Sequence, residues 1–188
     1  MKNTKKMGLS IRKMQTIILI LVVLALLPSL VFAAVQHVTV LPAPTIIAGQ
    51  ITHTNNNTGI PDVSVNLTNA TTMNVVDFTS TNGTGYYNFT NINAGDYYVK
   101  ASKIRYWDNT TEVNVTADET ANLSLWLVGD LNNNGRSAGI GDLVLMNRVV
   151  LWEIPGDWRW DLNRNGRTAG IGDLVLMNRA VLGEIVLT

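Results

Sequence analysis

Asp130-Leu-Asn-Asn-Asn-Gly-Arg-Ser-Ala-Gly-Ile-Gly-Asp-Leu-Val-Leu-Met-Asn-Arg148 returns thirty-one residues later as Asp161 to Arg179. Two of the nineteen positions differ: Asn133 becomes Arg164 and Ser137 becomes Thr168. Repetition at a fixed period marks a duplicated structural unit. Within each copy the side-chain oxygens alternate, Asp130, Asn132 and Asn134 in the first and Asp161, Asn163 and Asn165 in the second. A hard divalent cation such as calcium takes six to eight oxygen ligands from a loop of this kind. Gly135 and Gly166 allow the sharp bend, Arg136 and Arg167 offer main-chain carbonyls, and Asp142 and Asp173 are expected to close each shell as bidentate ligands. The expectation is two Ca2+ ions, one per loop.

The loops are extended. Six residues separate Gly135 from Asp142, where the common twelve-residue calcium loop has five and closes on Glu. Gly139 and Gly141 are expected to absorb the extra residue, since glycine accepts backbone conformations closed to other residues. With two carboxylates per loop, affinity falls in the range of extracellular modules, roughly 0.1 to 1 mM. The competing reading is an Asn-Gly turn followed by a helix that Asp142 or Asp173 caps, with no metal.

Apolar runs follow each loop, so helices are expected over Leu143 to Trp152 and Leu174 to Leu182, with Gly183 as the stop of the second. Two short apolar helices must pack on each other, about an approximate two-fold axis. Trp152, Trp158 and Trp160 are expected to seal that small core, a sugar-stacking face being their other use.

Upstream, residues 46 to 128 alternate apolar and polar in short runs: Ile47 to Thr52, Val63 to Leu67, Tyr87 to Phe89, Tyr97 to Val99, Val113 to Val115 and Leu123 to Leu127. A period of two means half-buried strands. Asn55 to Gly59, Asn82 to Gly85 and Asn93 to Gly95 supply turn residues between them. Short, regularly spaced strands with such turns predict a β-sandwich. The fold class is mixed: an all-β sandwich of immunoglobulin or transthyretin type, then a small all-α module of two calcium loop-helix motifs.

The N-terminus reads as an export signal: Lys2, Lys5, Lys6, Arg12 and Lys13, an apolar run from Ile17, then Val31-Phe-Ala33 for cleavage. Uncleaved, Ile17 to Ala34 would be near the lower limit for a membrane anchor, the one route to a membrane. The domains are then 1–33 signal peptide, 34–44 linker, 45–128 sandwich and 129–188 duplicated module. After the leader, nine Lys/Arg stand against fourteen Asp/Glu. That acidic balance lacks the basic stripe nucleic acid requires. Without cysteine, neither disulfides nor a thiolate zinc site can staple an exported chain, which leaves calcium for that part. Two histidines, no cysteine and no nucleophile-elbow serine argue against an enzyme. Asp118-Glu119 reads as a turn rather than a glycosidase pair.

Eight Asn-x-Ser/Thr sequons crowd the sandwich, at Asn56, Asn66, Asn69, Asn82, Asn88, Asn109, Asn114 and Asn122. With thirteen Asn and nineteen Ser/Thr in these eighty-four positions, chance gives about three, so the excess points to an extracellular, glycosylated surface. None lies in the duplicated module.

Two resemblances sharpen these readings. Gly49-Gln-Ile51, Gly59 to Val65, Thr81 to Gly85 with Tyr87-Asn-Phe89, and Gly95-Asp-Tyr97 with Val99-Lys-Ala101 resemble a carboxypeptidase regulatory-like domain. That resemblance implies a transthyretin-like, seven-stranded, non-catalytic sandwich. Gly129-Asp-Leu-Asn and Asp142 to Arg148, duplicated, resemble a dockerin of type I-like, archaeal kind. This implies calcium-dependent docking on a cohesin-domain partner in a secreted or cell-surface assembly, one that processes polysaccharides being the first candidate. The resemblance places the partner-reading residues at Ile140, Asn147 and Arg148, and at Ile171, Asn178 and Arg179. Near-identity of the halves implies two docking orientations. Carbohydrate is the second candidate partner, through Tyr86, Tyr98, Tyr106 or Trp107. A structural or adhesive surface protein, with calcium as a clasp only, is the alternative reading.

Overall fold

The computed structural model describes residues 45–188; the leader and linker expected over residues 1–44 lie outside the described residues. Residues 45–188 form one compact unit. Eight strands come first: β1 Thr45–His53, β2 Ser64–Asn69, β3 Val75–Ser80, β4 Tyr86–Ile92, β5 Gly95–Ser102, β6 Asn109–Val115, β7 Glu119–Thr120 and β8 Leu123–Leu125. Two helices follow, α1 Ile140–Val150 and α2 Ile171–Val181, with a single 3-10 turn over Trp158–Trp160 between them.

The alternation in sequence becomes the two faces of each strand. In β5, Tyr97, Val99 and Ala101 are buried while Asp96 and Lys100 face water. One sheet runs β3-β2-β5-β6, antiparallel throughout. In the other, β1 pairs antiparallel with β4 and parallel with both β7 and β8. Their inward residues meet in one core that includes Ile47, Ile51, Val65, Leu67, Phe89, Val99, Val115 and Leu125. This is the expected sandwich with two strands that the alternation does not show. β3 is an edge strand, and Val75, Val76 and Phe78 are exposed, so it carries no one-sided pattern. β7 is only two residues long and includes Glu119 of the expected turn; Asp118 accepts a hydrogen bond from the Ile46 amide at 2.9 Å beside it.

Gly49 is a point of close approach: a Cβ there would collide with the backbone carbonyl of Ala121. Backbone cannot swing aside as a side chain can, so Gly49→Ala should cost about 1–3 kcal/mol in chemical denaturation, and an unchanged midpoint would contradict this contact.

At the end of β1, the His53 ring lies tilted against that of Tyr106, whose hydroxyl is 3.4 Å from Nδ1. Burial, then the charge of Lys103, holds the imidazole pKa below its ordinary 6.5. A depressed pKa means the folded state favours the neutral ring. Stability from this source is complete above pH 6.5 and is lost as pH falls towards the lower folded value. His53→Gln should flatten the stability profile below pH 6.5; an identical profile in the variant would show that His53 does not set it.

The helices start three residues earlier than the apolar runs suggest, which puts Asp142 and Asp173 inside their first turns. They pack against one another around buried Met146 and Met177, with Val128, Leu131, Val149, Trp160, Leu162 and Leu187 completing the small core. Of the three tryptophans expected there, only Trp160 is buried. Trp158 is half exposed, and Trp152 is 93% exposed. The reason is local: Trp152 follows α1 in the left-handed conformation, φ 63°, as Gly183 follows α2 at φ 75°. That cap turns the Trp152 side chain outward.

Candidate functional site

Each loop is built around its first and last aspartates. Asp130 Oδ1 and Oδ2 accept the amides of Asn134 and Gly135 at 2.9 and 2.7 Å. Asp161 does the same for Asn165 and Gly166 at 3.0 and 2.7 Å. Asn132 Oδ1 accepts from the Asn134 amide, and Asn134 Oδ1 from the Arg136 amide. Asn163 and Asn165 repeat this towards Asn165 and Arg167. The sequence alternation thus gathers three oxygen-bearing side chains at the start of each loop, and Gly135 and Gly166 make the bend at φ 82° and 80°.

Asp142 and Asp173 close the loops. Asp142 Oδ1 accepts the amides of Leu131 and Asn132, while Oδ2 accepts that of Gly139 at 2.8 Å. Asp173 Oδ1 accepts the Asn163 amide and Oδ2 the Gly170 amide. One carboxylate therefore ties the loop's beginning to the helix's N-terminus. The arrangement differs between the copies: two amides fill Asp142 Oδ1, which leaves Oδ2 as its open oxygen, whereas both oxygens of Asp173 keep a free lone pair.

The extra loop residue is not absorbed at the glycines. Gly139 is extended, at φ −93°, and Gly141 is helical. Ala138 and Ala169 take the left-handed turn instead, at φ 53° and 40°. Gly141 and Gly172 leave room for the loop side chains, since a Cβ would lie 2.8 Å from the side-chain Nδ2 of Asn132 or Asn163.

These residues fit a hard cation in three ways. Asp142 and Asp173 are fully buried and Asp130 nearly so, yet among the described residues none of the three forms an ion pair with Lys or Arg. Burial, reinforced by neighbouring Asp130, pushes the Asp142 carboxyl above the usual carboxylate range despite its three amide donors. The Arg136 and Arg167 carbonyls accept no hydrogen bond among the described residues, which leaves both main-chain oxygens available. With two carboxylates and two asparagines, each loop falls short of a three-carboxylate cluster, and none such occurs among the described residues.

The residues assigned to partner reading lie on the outer faces of the helices. Ile140 and Ile171 are about three-quarters exposed, and Asn147, Arg148, Asn178 and Arg179 are exposed too. Arg148 pairs with Glu153 at 3.3 Å and Arg179 with Glu184 at 3.1 Å, while the Asn147 amide folds back on the Leu143 carbonyl. Each face is larger than the sequence reading made it. Val144 and Leu151 extend the first, and Val175 and Leu182 the second. Helical spacing of four and then a further seven residues, four and eleven onward from Ile140 and Ile171, is the signal that identifies them.

Of the sequons, Asn56, Asn82, Asn88, Asn109, Asn114 and Asn122 are exposed, and Asn66 and Asn69 are half-buried. Asn56 and Asn82 hold their carbonyl oxygens against the amide and hydroxyl of Thr58 and Thr84. Tyr86 is exposed, Tyr98, Tyr106 and Trp107 are half-buried, and the structure gathers no face from the four.

Residues 46–128 are a carboxypeptidase regulatory-like domain. The regulatory-like match begins at the second residue of β1 and runs past β8. No curated protein matches the chain. Among solved structures, the Bacillus anthracis TIE protein is similar at 16% identity and TM-score 0.40, over 46% of this chain and 18% of its own. A variant of BcpA, the major pilin subunit of Bacillus cereus, is similar at 15% identity and TM-score 0.39, over 46% and 30%. A type II cohesin-X-dockerin complex from Acetivibrio cellulolyticus is similar at 18% identity and TM-score 0.38, over 72% of this chain and 94% of that one. The chain thus spans less than a third of the first two, and TM-scores this low settle neither fold nor function for the region after the regulatory-like domain.

The left-handed alanines allow a test of the loop geometry. A side chain costs about 1 kcal/mol in that conformation, so Ala138→Gly should be neutral or stabilising in thermal denaturation, against the usual loss for Ala→Gly. A loss of about 1 kcal/mol or more would mean that Ala138 is not held left-handed.

Proposed function

We propose that this is a secreted or cell-surface, non-catalytic protein whose duplicated module takes up two calcium ions and then docks on a cohesin-type partner. The observation that carries the reading is the coincidence, in both repeats, of a buried carboxylate without a cationic side chain and an exposed apolar helix face beside it. Asp130, Asn132, Asn134, the Arg136 carbonyl and Asp142 would hold one ion, and Asp161, Asn163, Asn165, the Arg167 carbonyl and Asp173 the other. Calcium would supply the positive charge that the buried carboxylates lack and so fix each loop against its helix. The faces of Ile140, Val144 and Leu151 and of Ile171, Val175 and Leu182 would then meet the partner, with Arg148 and Arg179 at their edge. Glycans on the exposed sequons would leave this module uncovered.

A second reading, a structural or adhesive protein with calcium as a clasp, draws on how the module meets the sandwich. The Arg159 guanidinium lies 4.1 Å above the Trp126 ring, and Trp107 meets Trp158 edge-on at 5.4 Å. Exposed Trp152 keeps sugar stacking within this reading.

Calorimetric titration of the full chain should show two calcium ions bound with dissociation constants of roughly 0.1 to 1 mM. Asp142→Ala combined with Asp173→Ala should abolish the heat. Retention on a panel of immobilised cohesin domains, lost on adding chelator, supports docking; calcium uptake without retention on any of them supports the clasp, and absence of uptake removes both.

A further inference from the structure

The two repeats share almost every residue, yet they do not have the same surroundings. A Cβ on Gly135 would collide with the Asn55 side chain, from the turn after β1, whereas one on Gly166 would meet nothing within 4 Å. Asn133 faces the same turn, its Oδ1 lying 3.4 Å from Thr54 Oγ1. Ser137 Oγ donates to the Val128 carbonyl at 2.6 Å, and the Ala138 amide donates to that of Gly129 at 3.1 Å. Among the described residues, Thr168 and the amide of Ala169 make no matching bonds, and the Leu162 amide lacks the bond that the Leu131 amide makes to the closing aspartate. Asp130 is 4% exposed, while its counterpart Asp161 is half-buried.

Both substitutions in the repeat fall on these contacts. Asn133 and Ser137 are the residues through which the first loop holds the end of the sandwich. Arg164, in the place of Asn133, reaches out to the Thr188 carbonyl at 3.1 Å and lies 5.0 Å from the Trp107 ring. Within the loops themselves, the second thus meets the sandwich through one exposed side chain, and the first through two part-buried side-chain bonds, with an added main-chain bond from Ala138 to Gly129.

On the reading that both loops take up calcium, we propose that the sandwich holds the first loop in shape without metal, so that only the second loop and its helix face are calcium-gated. The first face, Ile140, Val144 and Leu151, is then present at all calcium levels. The second, Ile171, Val175 and Leu182, forms on calcium uptake and is the one through which calcium controls docking. A local segment with fewer fixed contacts opens at lower free energy, which makes its amides exchange faster.

The matched reporters are the Gly135 and Gly166 amides, each donating to the first aspartate of its loop at 2.7 Å. Hydrogen exchange of the full chain, followed by NMR, should show Gly166 exchanging faster than Gly135 without calcium by about tenfold or more, the factor one net hydrogen bond contributes. Saturating calcium should slow Gly166 by a similar factor and leave Gly135 nearly unchanged. Thr54→Val with Asn55→Ala should bring Gly135 to the Gly166 rate and make it calcium-responsive. Equal rates without calcium, or equal slowing of both amides, overturns the proposal while leaving calcium uptake intact. No calcium response at either amide overturns the calcium reading itself.

Discussion

A buried carboxylate at the third position of a helix, accepting amides from both ends of the loop before it, is the constraint on which the C-terminal module rests. Asp142 and Asp173 each join loop start to helix start, and their placement draws the helix back to Ile140 and Ile171. Burial disfavours the charge of Asp142, and among the described residues neither aspartate forms an ion pair with Lys or Arg. Three amide donors offset part of that cost for Asp142, and a proton or a cation would offset the rest. The alternating oxygens of Asp130, Asn132 and Asn134, and the free Arg136 carbonyl, provide for a cation.

The sandwich contributes more than a neighbouring domain. Val128 ends it and Gly129 begins the first loop with no linker between, and Val128 offers its carbonyl to Ser137 across the turn. Arg159 over Trp126 adds a cation-π contact worth about 1 kcal/mol where partly buried. A module whose two short helices bury only a small core gains from being set on a larger one. The cost of that arrangement is symmetry: the first loop meets the sandwich through Asn133 and Ser137, the second through Arg164 and the tryptophan turn before it.

Much of this is legible in the sequence because period and repetition survive folding directly. Tyr97, Val99 and Ala101 alternate in β5 as they alternate in the chain, and the two helices fall in the same register within each repeat. β3 escapes because an edge strand exposed on both sides has no reason to alternate, and Phe78 at 76% exposure carries no core signal. The tryptophans mislead for a different reason. Size and hydrophobicity argue for burial, but backbone conformation decides direction, and the left-handed cap at Trp152 turns its ring to water. Ala138 and Ala169 likewise adopt a conformation that composition assigns to the glycines beside them. What no single-chain pattern reveals is contact between distant segments, such as Asn55 against Gly135.

Calcium in both loops is the central claim, and diffraction with a lanthanide in calcium's place tests it most directly. Two anomalous peaks are expected, one ringed by the oxygens of Asp130, Asn132, Asn134, Arg136 and Asp142 and one by those of Asp161, Asn163, Asn165, Arg167 and Asp173. Peaks elsewhere, or none at the loops, would contradict it and leave Asp142 and Asp173 as helix caps alone.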